Sequence, residues 1–157
     1  MAGPLSAGIL LFREMGDALQ VLIGHPGGPF WASKQEGAWS IPKGLVEPGE
    51  EAVGTALREF AEETGHEPSG DEMLDLGEVK LRSGKRVVAW AIRGEMDPSD
   101  AVSNLVRLEW PRGSGRFIEF PEIDQLRWCS LAEAETLLNP AQTAFLTRLG
   151  KLLDHPQ

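Results

Sequence analysis

The segment GLVEPGEEAVGTALREFAEETGH, residues 44–66, constrains this chain more than any other. Its second half has helical spacing. At about 100° per residue, Ala52, Val53, Ala56, Leu57, Phe60 and Ala61 fall on one half of the wheel, and Gly65 follows as a C-terminal cap. Glu59, Glu62 and Glu63 lie beside that stripe at relative positions i, i+3 and i+4, so their carboxylates share one narrow face near the helix end. The negative end of the helix dipole disfavours anions there, and each like-charge pair costs roughly 0.2–0.5 kcal/mol on an exposed helix. One account is a solvated acidic surface. The other is a hard, oxygen-seeking cation such as Mg²⁺ or Mn²⁺ that turns repulsion into ligation. Arg58, four residues before Glu62, can orient a carboxylate without being a ligand. Upstream, PKGLVEPGE is a Gly- and Pro-rich loop whose glycines let the backbone approach a metal or phosphate, and Lys43 adds a positive charge at its entry. Loop and helix face therefore belong to one site.

With 157 residues the chain is long enough for one sizeable core and short for two, so residues 1–157 read as a single domain. The formal net charge of -9 repels nucleic-acid backbones and anionic membranes, and a polyanionic substrate would need a metal to neutralise part of both partners. Cys129 is the only cysteine, which excludes an intramolecular disulfide and suits a small core residue in a reducing compartment. The N-terminus has no basic start, and its apolar run is short for a membrane span or a signal peptide; the expected location is cytoplasmic.

Hairpins and helices alternate along the rest. SAGILLFR and LQVLIGH flank Gly16-Asp17 as a β-hairpin, and EVKLR and KRVVAWAIR flank Ser83-Gly84 as another. LVRLEW and LRW read as strands. Ser130 with Glu133 is a capping box for the helix LAEAETLL, and Asn139-Pro140 fits the cap and first position of a final helix. Strands and helices mixed in this way predict a mixed sheet with helices on its faces.

Residues 44–66 resemble the signature box of the Nudix (MutT-type) hydrolases, with Gly44, Glu50, Arg58, Glu59, Phe60, Glu62, Glu63 and Gly65 all at the family's spacing. His66 is the one departure, standing where the family usually has an aliphatic packing residue. The resemblance implies an α/β/α sandwich around a mixed β-sheet, and hydrolysis of a nucleoside diphosphate linked to another group. It also implies that Glu59, Glu62 and Glu63, with the Gly44 carbonyl, hold Mg²⁺ or Mn²⁺, while Glu50 and Arg58 fix the carboxylates. Family members frequently dimerise. A nucleotide sensor with the same fold and no turnover is the alternative; such sensors typically have eroded box carboxylates, and this box retains all of them.

Outside the box, RFIEFPEID offers Glu119, Glu122 and Asp124 as a catalytic base, with Glu119 the preferred candidate and an exposed strand residue its alternative. Arg112 and Arg116 bracket GSG in a loop that could contact a polyphosphate tail or be a plain hairpin turn. Trp31 and Trp39 are candidates for stacking on a base, as well as for the core, whereas Trp90, Trp110 and Trp128 read as core. His25, beside Pro26, reads as a turn residue. The family's ADP-ribose-cleaving members usually carry a downstream Pro where this chain has Lys80 and Leu81, and the tyrosine of many tetraphosphate hydrolases has no counterpart here. Pro42-Lys43-Gly44 resembles the loop of diadenosine polyphosphate hydrolases, which puts dinucleoside polyphosphates ahead of nucleoside triphosphates.

Overall fold

Strand alternation in the first hairpin sets both faces of the fold. In the computed structural model, which describes residues 3–68 and 72–153, β1 (Leu5–Met15) and β2 (Ala18–Pro26) are joined by the two-residue turn Gly16-Asp17. Gly16 there takes a left-handed φ of 65°, as a tight hairpin turn requires. Along β1, Ala7, Ile9 and Leu11 enter one apolar layer and Leu10 and Phe12 the other. β5 (Arg86–Arg93) runs parallel to β1, β4 (Met73–Lys80) pairs with β5, and β8 (Ile123–Ser130) pairs with β2. β3 (Lys43–Leu45) pairs with the start of β1, on the edge whose far end carries β2. The mixed sheet therefore has the order β4-β5-β1-β2-β8, with β3 lodged where β2 diverges from β1.

Helix α1 (Ala52–Thr64) covers one face, burying Ala56 and Phe60 against Ala7, Ile9, Leu11, Leu22 and Ile92. Helices α2 (Leu131–Leu137) and α3 (Thr143–Leu152) cover the other, where Phe145, Leu146 and Leu149 join Leu10, Phe12, Val21 and Trp39. The result is an α/β/α sandwich. The capping box forms: the Ser130 hydroxyl accepts from the Glu133 N–H, and the Glu133 carboxylate accepts from the Ser130 N–H. Asn139 caps a short 3-10 turn at Pro140–Gln142, so the final helix starts at Thr143, later than the sequence suggested. Cys129 is buried in the core. No helix among the described residues is long and apolar enough to cross a membrane.

β6 (Leu105–Glu109) and β7 (Phe117–Pro121) pair only with each other and form a separate two-stranded ribbon. Trp110 lies at the outer end of this ribbon and is 40% exposed, which corrects its reading as core; a two-stranded ribbon has no second layer to bury it. Trp90 and Trp128 are half-buried against the α1 layer, and the Arg13 guanidinium sits 4.1 Å from the Trp128 ring centroid.

Phe60 anchors the helix that carries the carboxylates, so Phe60→Ala should cost about 3–5 kcal/mol of unfolding free energy through the cavity it leaves. A urea melt measures this; a loss below about 1 kcal/mol would mean that α1 is held by something other than this contact.

Candidate active site

The site begins where α1 crosses β3. A methyl group at Gly44 would lie 1.9 Å from the Glu59 side-chain carboxyl carbon, so that carboxylate rests directly on the Gly44 backbone and only glycine permits the approach. The Arg58 guanidinium gathers the carboxylates around it, donating to Glu59 at 3.1 Å, to Glu62 at 3.2 Å and to Glu50 at 3.2 Å. Glu50 also accepts from the Glu47 N–H at 3.0 Å, which ties the loop to the helix; that backbone hydrogen bond, more than Arg58, lowers the Glu50 pKa. Burial raises the Glu59 pKa, the Glu62 charge adds to the rise, and Arg58 opposes it.

Glu63 lies deeper. It is 5% exposed, and its Oε2 has no hydrogen-bond partner. Burial, and then the charges of Glu122 and Glu59, push its pKa up to about 9, against the pull of the Lys43 ammonium and backbone N–H. Lys43, half-buried at the start of β3, has its own pKa lowered by burial, with Glu63 opposing. Lys43, Glu63 and Glu122 line a polar cavity of about 130 Å³ together with Ser40 and Ile41.

The helix end explains how Glu122 reaches this place. The Glu62 carbonyl accepts from the Asn104 N–H and the Thr64 carbonyl from the Val102 N–H, both at 3.0 Å, so the loop before β6 caps the last turn of α1. The Asn104 carbonyl in turn accepts from the Glu122 N–H at 2.9 Å. Two backbone links thus join α1 to the residue after β7.

A second cavity, of about 290 Å³, adjoins the first at Pro26 and Glu122. Gly27–Trp31 form one wall, and Val106, Leu108 and Phe120 on the ribbon form the other. Trp31 is half-buried at this cleft. Trp39 is not there: it is 1% exposed in the core, its indole N–H donating to Gln35, so it cannot stack on a ligand. Glu119 is exposed in mid-ribbon opposite Arg107, whereas Glu122 lines the polar cavity. Arg112 and Arg116 occupy the exposed tip of the ribbon, where the Glu109 carboxylate accepts from the Gly113 and Gly115 N–H groups. They are separated from Glu122 by β7, a length of about 17 Å at ~3.4 Å per residue. His25 is no turn residue but a buried strand residue, 3% exposed. His66 packs edge-on against Phe60, ring centroids 6.4 Å apart, which accounts for an aromatic in an aliphatic position.

The donor set suits a hard divalent cation. Among the described residues no three His, Cys, Asp or Glu side chains converge into a closed ligand set, and the Arg58 guanidinium is bonded to both Glu59 and Glu62. The unpartnered buried Oε2 of Glu63 and the Glu59 carboxylate pressed on Gly44 are nevertheless all-oxygen donors in a region of mutual repulsion, the environment a cation relieves.

A family model described as the NUDIX domain matches residues 3–149. An 8-oxo-(d)GTP phosphatase of Mycolicibacterium smegmatis is 39% identical over 74 residues, 45% of this chain and 23% of that protein. An asymmetrical bis(5'-nucleosyl)-tetraphosphatase of Rattus norvegicus is 44% identical over 57 residues, 33% of this chain and 39% of that protein. The chain thus spans well under half the length of these curated relatives. Among solved structures, a C. elegans Ap4A hydrolase binary complex has a TM-score of 0.65 at 19% identity, covering 96% of this chain and 98% of that one. The NUDIX domain of Shewanella oneidensis NrtR complexed with ADP ribose has a TM-score of 0.64 at 18% identity, covering 98% of this chain and 90% of that one. At these identities the two structures show a shared fold.

Without metal, Glu63 makes stability fall as pH rises. From its ordinary value of 4.5 to about 9, the folded chain keeps a proton that the unfolded chain has lost, so the contribution of this group is greatest at low pH and declines through that window. In thermal melts with a chelator, Glu63→Gln should therefore gain on the parent progressively from about pH 5 to about pH 9. Parallel pH profiles would show that Glu63 is already ionised in the fold.

Proposed function

Because the chain belongs to the NUDIX domain family, we propose that it is a divalent-metal-dependent pyrophosphohydrolase that cleaves a phosphoanhydride in a nucleoside polyphosphate, with dinucleoside polyphosphates the leading substrate class. One observation carries the reading: the polar cavity of Lys43, Glu63 and Glu122 opens beside the aromatic cleft of Trp31 and Phe120, the two meeting at Glu122 and Pro26. A nucleotide is an object of that shape, an anionic chain on a planar aromatic group. The resemblance of the Pro42-Lys43-Gly44 loop and the similarity to the rat tetraphosphatase support the dinucleoside class.

Each residue then has a task. Glu59, Glu62 and Glu63, with the Gly44 carbonyl, would hold Mg²⁺ or Mn²⁺, which supplies charge neutralisation and Lewis-acid polarisation of the phosphate oxygens. Arg58 keeps Glu59 and Glu62 oriented. Lys43 binds a phosphate oxygen from the edge of β3. Glu122 takes the proton of the attacking water as the water oxygen bonds to phosphorus and the anhydride P–O bond breaks, the electron pair leaving with the departing phosphate. Trp31 and Phe120 receive the base by stacking. Arg112 and Arg116, at the ribbon tip, are left without a part in binding a phosphate chain.

A second reading, a nucleoside triphosphate as substrate, is supported by the similarity to the mycobacterial phosphatase, and the aromatic cleft beside the polar cavity suffices for a single base. A sensor without turnover fits less well, because the box keeps Glu59, Glu62 and Glu63 together with the arginine that orients them.

Anion-exchange analysis of products from matched panels, with Mg²⁺ and with chelator, tests the substrate class. Dinucleoside polyphosphates should give the highest kcat/KM, and activity should vanish with chelator. A triphosphate cleaved at least about ten-fold better would establish the second reading, a difference of ~1.4 kcal/mol in transition-state stabilisation; binding without products under every condition would establish the sensor.

The role of Glu122 has its own test. Glu122→Gln should lower kcat by about 10²–10⁴-fold, the usual contribution of a general base, while Glu119→Gln stays near the parent. The reverse ranking would return the base to mid-ribbon.

A further inference from the structure

Buried His25 has both ring nitrogens committed. Nδ1 lies 2.7 Å from the Asp124 carboxylate, and Nε2 lies 2.7 Å from the Lys34 carbonyl oxygen. The register shift between His25 and Pro26, where β2 pairs with β8, is the irregularity that lets Asp124 reach the ring, as bulges re-aim side chains. Trp39 meets the ring edge-on at 5.4 Å, and Gln125 is its cross-strand neighbour; neither is charged. Asp124, from β8, is therefore the charged side chain that faces the ring, and Lys34 faces it through its backbone.

Lys34 belongs to the connection between β2 and β3 that supplies Gly27–Trp31 to the aromatic cleft. Its N–H donates to the Trp31 carbonyl at 2.9 Å, and its ammonium stands 3.6 Å from the Phe30 ring centroid and 5.5 Å from that of Trp31. Whatever holds the Lys34 carbonyl thus also holds the turn that carries both aromatics. A carboxylate and a carbonyl can only accept, so the ring satisfies both only when it donates from both nitrogens. A ring with one N–H must leave one of them without its donor.

We propose that His25 is a positioning residue for the aromatic cleft: donating from both ring nitrogens, to Asp124 and to the Lys34 carbonyl, it ties the turn bearing Phe30 and Trp31 to the strand that follows Glu122. This rests on the reading of the cleft as the nucleobase site. The consequence is selective. Loss of the tie weakens capture of the base and leaves the phosphate chemistry at Glu63 and Glu122 in place.

Two measurements test it, one of them independent of activity. In ¹⁵N NMR of the ligand-free chain, His25→Gln should shift the Trp31 indole signal; an indole signal unmoved by the substitution overturns the tie. In steady-state kinetics, His25→Gln, whose amide offers an NH₂ donor and a carbonyl acceptor in place of two ring N–H donors, should show KM about ten-fold higher and kcat within about two-fold, as for one lost hydrogen bond in binding. Asp124→Asn, at a partly exposed residue, serves if His25→Gln fails to fold, and should likewise raise KM alone. A variant KM equal to that of the parent, or a fall in kcat at unchanged KM, overturns the proposal. Failure of the parent to bind or cleave any nucleotide would defeat the substrate reading instead, and the NMR comparison of parent and variant would still decide whether His25 controls the turn.

Discussion

The splay between β1 and β2 is the constraint on which the rest depends. β1 keeps β2 only along its second half, whereas β2 is paired with β8 on its other edge from Gln20 to Pro26. The backbone groups exposed in the gap must find partners, and residues 40–45 provide them: Gly24 and Ser40 exchange N–H and carbonyl bonds, Ile9 donates to the Pro42 carbonyl, and β3 pairs with Ser6–Gly8. The insertion is tight enough that a methyl group on Gly8 would lie 2.5 Å from the Pro42 oxygen. Filling the gap therefore also fixes Lys43 and Gly44 beneath the carboxylate face of α1. Sheet geometry and site geometry are one problem with one solution.

The helix end meets a second constraint. α1 places Glu62 and Glu63 where its dipole opposes them, and Glu63 is buried as well. The N–H groups of Val102 and Asn104 satisfy terminal carbonyls and so blunt the negative end of the dipole, and Arg58 balances Glu59 and Glu62. Glu63 has the Lys43 ammonium and backbone N–H, which its burial outweighs, and its orphaned Oε2 is the residual cost. Such unpaired buried groups persist in folds where function requires them.

Features set by local chemistry were legible in the sequence. The amphipathic stripe of α1, the Gly65 cap, the Gly16-Asp17 turn and the Ser130 capping box each depend on residues a few positions apart, and each has the form its spacing dictates. Features set by long-range pairing were not. Trp39 lies in the extended stretch GAWSIPKG, and its burial comes from the end of α2, whose Leu137 carbonyl accepts from the Trp39 N–H, about a hundred residues on in sequence and thus outside any local pattern. Glu119, Glu122 and Asp124 are equivalent by composition. Strand register and a β-bulge separate them, leaving the first in mid-ribbon, the second in the cavity and the third on His25. Nor does LVRLEW carry any sign that its strand leaves the main sheet and takes Arg112 and Arg116 to a ribbon tip away from the polar cavity.

An isolated two-stranded ribbon is marginal in water, so the position of Glu122 cannot rest on β6 and β7 alone. It rests on stitching from both sides. The Glu122 N–H donates to Asn104, which is itself bonded to the end of α1, and the Glu122 carbonyl accepts from Gly27 at the root of the aromatic turn. A methyl group on Gly27 would lie 1.9 Å from the Pro121 oxygen, so turn and ribbon meet backbone to backbone. The ribbon tip can therefore vary without moving the carboxylate, whereas a change at Gly27 or Asn104 displaces the polar cavity and the aromatic cleft together. The two cavities share a wall because they share these anchors, and a ligand that spans both is read by a single rigid junction rather than by two independent loops.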